Sequence, residues 1–142
     1  MQLSPPVSAF LGVLDRMSHE AIRRRNDLGV LLEAAYRSGR RKDLSALAFT
    51  GKFCVRGLAI MRRIGVGGDG YERLAAEFGR NADGARQLLA SLLEAAPEES
   101  RTALAGRYLS LDAAGLDELL TLLADLSWVK NWQIDNPGKS PW

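Results

Sequence analysis

The chain is poor in the residues on which most small-site chemistry depends. Its 142 residues include one cysteine and one histidine. A lone Cys54 cannot form a disulfide within the chain, so a reducing, cytoplasmic compartment is expected. Within Phe53-Cys54-Val55 it reads as a small core residue rather than a reactive thiol. A lone His19 excludes a multi-histidine metal centre. Asp15 and His19 lie four apart, and they read as a surface pair on one helix face. No metal and no cofactor are expected, and no Ser/His or Cys/His nucleophilic arrangement is motivated. No acidic residue stands out as isolated in an apolar stretch, where burial would tune it for acid–base work. The longest uncharged run, Met1–Leu14, is shorter than the ~18–20 residues of a membrane span. It also lacks a basic segment ahead of it, so no signal peptide is expected. No stretch alternates polar and apolar residues over more than a few positions, so no strand is expected.

What is abundant favours helix. Apolar residues make up 46% and charged residues 25%, proportions of a globular domain, and proline is scarce at five. Ser4-Pro5-Pro6 suits a first helical turn. From there Val7, Phe10, Leu11, Leu14, Met17 and Ala21, then Leu28, Leu31, Leu32 and Ala35, recur at helical spacing. This predicts a long amphipathic helix ending near Ser38-Gly39, with a break near Ser18. The member expected at 24/25 is arginine, which demands either a bend or an acidic partner at the core edge. Asp43 is the expected cap of a helix whose inner face is Leu44, Leu47, Ala48, Gly51, Cys54, Val55, Leu58 and Met61. A further helix starts at Tyr71, and Gly79-Arg80-Asn81 is expected to end it, with Asp83 capping the next. Pro97-Glu98-Glu99 opens a short helix carrying Leu104, Tyr108 and Leu109. Ser110 or Asp112 caps the last, striped by Leu116, Leu119, Leu120, Leu123 and Leu126 and continuing through Trp128 and Trp132. The reading is an all-α, single-domain, up-down bundle of five to six helices. It has a basic half at 1–64, a Gly-rich loop at 65–70, an acidic half at 71–135 and a tail at 136–142.

The charge is polarised. Residues 1–64 carry twelve Lys/Arg and five Asp/Glu, whereas 65–142 carry seven and twelve, and the whole chain is +2. Such asymmetry marks an interaction face or two halves that neutralise each other on folding. Arg16, Glu20, Arg23 and Asp27 read as an alternating ion-pair ladder on a solvated face. Arg40, Arg41 and Lys42 at a turn, with Lys52, Arg56 and Arg63 along one helix face, have no such rungs and are the candidates for binding an anionic partner. Trp128 and Trp132 share a face near the end of the last helix. They read as closing the core or as a partner anchor.

Three segments share spacing with known motifs. Gly65-x-Gly67-x-x-Gly70 matches the dinucleotide fingerprint in spacing, but that fingerprint needs a preceding strand. A flexible inter-helix loop is expected instead. Gly138-Lys139-Ser140 echoes the end of a P-loop without its first glycine or a following helix. Residues 74–88 have partial helix-turn-helix spacing, with Arg80, Asn81, Arg86 and Gln87 able to contact bases. The expected function is a non-enzymatic protein–protein interaction or assembly module, with a homodimer among its forms. Its partner would be an acidic protein surface or a second copy, with no membrane involved. The alternative is nucleic-acid binding through the basic helices or the segment 74–88.

Overall fold

A computed structural model describes residues 2–16, 24–64 and 69–138, with side chains within 2–12, 24–52, 80, 82–129, 132 and 136–138. Among them are six helices and no strand: α1 (Pro5–Arg16), α2 (Arg25–Ser38), α3 (Arg41–Ile64), α4 (Asp69–Leu93), α5 (Glu98–Tyr108) and α6 (Ala113–Asp135). They form a small helical bundle. α3 packs most extensively on α6 and next on α4, α5 lies on α6, and α1 lies on α2.

The predicted stripes form the core. Leu28, Leu31, Leu32 and Ala35 of α2 and Leu44, Leu47 and Ala48 of α3 are buried. So are Leu119, Leu123 and Leu126 of α6. Leu122 is buried too, because α6 touches α3, α4 and α5 and so needs apolar residues beyond one stripe. The tightest approach is at Gly51. A Cβ there would fall onto the Leu123 carbonyl oxygen and lie 2.8 Å from its carbon, so only glycine lets α3 sit this close to α6. Gly39, at φ 71°, ends α2 in the left-handed conformation.

Three boundaries differ from expectation. The first stripe is carried by α1 and α2, and the break expected near Ser18 lies outside the described residues. α3 begins at Arg41, two residues before the expected cap Asp43, which lies in the first turn and accepts from Arg40. Asp69 and Gly70 belong to α4 rather than to the loop, and residues 65–68 lie outside the described residues. α4 runs unbroken through Gly79-Arg80-Asn81. One interior glycine costs only about 1 kcal/mol, and the apolar positions 78, 82, 85, 89 and 92 continue a single stripe across it. Asp83 is therefore no cap. It pairs with Arg86 one turn on, at 2.9 Å. Asp112 does cap α6, accepting from the Gly115 N–H at 2.7 Å.

Candidate functional site

The basic corner between α2 and α3 divides by what each cation touches. Arg40 is committed internally. Its Nε donates to Asp43 at 2.6 Å, and its two terminal nitrogens donate to the Ser91 carbonyl and hydroxyl. This fork ties the start of α3 to the end of α4 and removes Arg40 from the binding set. Arg41 and Lys42 are exposed and Lys52 is half-buried. None of the three forms an ion pair with a described residue. Arg41 stacks over the Tyr36 ring at 5.7 Å, a contact that steadies the guanidinium while leaving its charge uncompensated. The side chains of Arg56 and Arg63, farther along α3, lie outside the described residues, as do those of Asp15, His19 and Cys54.

Sequence reasoning missed the aromatic member of this surface. Phe49 is 55% exposed and stands seven residues beyond Lys42, hence on the same side of α3. Its position off the buried set 44, 47, 48 and 51 was the available signal. The two tryptophans are placed differently. Trp128 and Trp132 are partly buried and packed against the core. Trp132 meets Phe10 edge to face, with centroids 4.9 Å apart and planes at 76°.

A second group, not anticipated as a unit, joins α2, α5 and α6. Arg24 pairs with Glu118, the acidic partner required at the core edge. The side chains of Arg16, Glu20 and Arg23, the other members of the expected ladder, lie outside the described residues. Asp27 accepts from the Tyr108 hydroxyl and from Arg107, about 80 residues away in sequence. Arg24 and Arg107 also lie over the Tyr108 ring, at 5.7 and 5.8 Å. Burial raises the Tyr108 pKa well above the ordinary phenol value, and the Asp27 hydrogen bond adds to the rise. Two clefts of about 300 and 330 Å³ open here, both bounded by Arg24 and Arg107.

Two buried acids also escaped the sequence. Glu33 and Asp125 are each 1% exposed. Glu33 accepts from the Ser4 N–H at 2.8 Å, the Ser4 hydroxyl at 2.6 Å and Arg37 Nε at 2.5 Å. Burial alone would raise its pKa, but the bonds from Ser4 and Arg37 prevail and hold it below the ordinary carboxylate value. Both acids stand in runs of Leu and Ala, which is the pattern that identifies them in retrospect.

The helix-turn-helix arrangement of 74–88 is absent, because all fifteen positions lie within the single helix α4. A recognition helix needs a turn to set it apart from its support. Arg86 is engaged with Asp83, and the Asn81 side chain lies outside the described residues. No helix among the described residues is long and apolar enough to cross a membrane. No family model matches the chain, and no curated protein or solved structure matches it either.

Proposed function

We propose that this chain is a non-enzymatic protein-interaction module that offers the outer surface of α3 to an acidic protein partner, in the reducing cytoplasm that a single cysteine suits. The observation that carries the reading is the state of the cations. Arg41 and Lys42 stand exposed without a described counter-charge, beside a Phe49 that is 55% exposed. Uncompensated cations steer an acidic surface and set its orientation, while a desolvated aromatic supplies most of the affinity. Arg24 of the basic half does pair with Glu118 of the acidic half, whereas Asp27–Arg107 joins the minority charge of each half. That pairing does not reach the corner at Arg41 and Lys42.

Nucleic-acid binding through these same cations is the second reading, since phosphates would be attracted equally. Fluorescence anisotropy separates the two, using an oligoglutamate-containing peptide, duplex DNA and single-stranded DNA at about 50 and about 200 mM salt. The interaction reading expects the acidic peptide to bind at least as tightly as either oligonucleotide. Tighter oligonucleotide binding that collapses with salt favours the second reading, and no binding of any probe overturns both. Sedimentation velocity on the free protein shows whether a second copy occupies the surface.

A further inference from the structure

The exposed cations of α3 call for an acidic counterpart, and this chain carries one beside them. The Arg40 fork onto Ser91 holds the start of α3 against the end of α4. Just beyond Ser91, the turn into α5 brings Glu94, Glu98 and Glu99, all of them exposed. Neither these acids nor Arg41 and Lys42 form an ion pair with a described residue. We infer, resting on the reading of the α3 surface above, that its acidic partner is a second copy of this chain. The two copies dock about a two-fold axis, with Arg41 and Lys42 of each meeting the acidic turn 94–99 of the other.

A two-fold interface brings the same patch of both copies together, so it is self-complementary only where both signs of charge adjoin. Here they do, and they balance. Arg41 and Lys42 give +2, while Glu94, Glu98 and Glu99 less the exposed Arg101 of the next turn give −2. Helix polarity adds a second argument. Arg41 and Lys42 are the first two residues of α3, at its positive end. Glu94 directly follows the last residue of α4, at a negative end that has no basic residue in its last turn. Both charges therefore stand where the helix dipole disfavours them. A second copy supplies the missing counter-charge at both ends in one contact. The same side of α3 also offers apolar area, because Lys42, Ala46 and Phe49 are exposed at i, i+4 and i+7. The small side chain of Ala46 leaves room there for another helix to approach.

The test is sedimentation velocity of the full chain from about 5 to about 200 μM, at about 50 and about 500 mM salt. A dimer at low salt that dissociates at high salt is expected. Arg41→Glu/Lys42→Glu and, separately, Glu94→Lys/Glu98→Lys should each weaken self-association by at least about tenfold, since like charges then face each other. An equimolar mixture of the two variants should restore the dimer, because every contact across the axis is again between opposite charges. Pairing within one chain gives no such rescue. Circular dichroism verifies folding, and Glu94→Lys alone, which suits a helix C-terminus, replaces the acidic variant if that one unfolds. A monomer at every concentration, a dimer that both variants leave intact, or a mixture without rescue overturns the proposal. Acidic-peptide binding on the same samples separates this proposal from the reading it rests on. A monomer that binds the peptide overturns the dimer and leaves the α3 surface standing, whereas a monomer that binds none overturns both.

Discussion

Gly51 of α3 faces the Leu123 carbonyl of α6 with no room between them for a methyl group. This contact sits in the most extensive helix pairing of the fold, so the register of α3, and with it the position of the basic corner, depends on it.

Gly51→Ala is therefore expected to destabilise the protein by about 1–3 kcal/mol or more, the range for overpacking, despite alanine's better helix propensity. Gly84→Ala in α4 meets nothing within 4 Å and should instead stabilise by about 0.5–1 kcal/mol. Urea denaturation of the two variants checks the contrast in sign.

Glu33 ties the N-terminal residues to α2. Its pKa is lowered in the folded state, so its contribution is complete above the unfolded value of about 4.3 and is lost as pH falls below it. Ser4→Ala removes one donor to Glu33 and should cost about 1 kcal/mol at neutral pH. That difference should shrink in acid, as read by denaturant melts at neutral and acidic pH.

Tyr108 gives a prediction at the opposite end of the pH scale. Its folded pKa is raised, so the stability it confers is fully present below the unfolded value of about 10 and declines as pH rises beyond it. In an absorbance titration one of the three tyrosines should ionise only with alkaline unfolding. Tyr108→Phe should abolish that late component and cost about 1 kcal/mol at neutral pH.

These contrasts show what could be read from the chain. The stripe Leu44, Leu47, Ala48 and Gly51 fixed the inner face of α3, because helical periodicity is a local property. The start at Arg41 was missed because Asp43 suits a first turn as well as a cap. The break at Gly79 was overestimated, since a single glycine weakens a helix without ending it when the apolar stripe runs on. Asp27 with Arg107 and Tyr108 was out of reach, as nothing local links residues 80 positions apart. Arg40 was read as a binding cation for the same reason, its acceptor Ser91 being distant in sequence. Asp125, flanked by the Leu122-Leu123 and Leu126 positions, was legible and was overlooked.

Phe49→Ser provides a test of the aromatic contribution. The ring is 55% exposed, and its loss should weaken binding of an acidic peptide by about tenfold when the ring is desolvated on binding. Calorimetric binding, with a thermal melt to verify folding, makes the comparison.

The most direct test of the α3 surface is the affinity of the acidic peptide for Arg41→Glu/Lys42→Glu compared with Arg80→Glu/Arg101→Glu. The control cations are also exposed but lie on α4 and α5, and circular dichroism would verify folding of both variants. The account predicts a loss of at least about tenfold for the α3 variant and a change within about twofold for the control. Equal losses in the two would mean that net charge alone attracts the peptide, and would contradict a defined binding surface on α3.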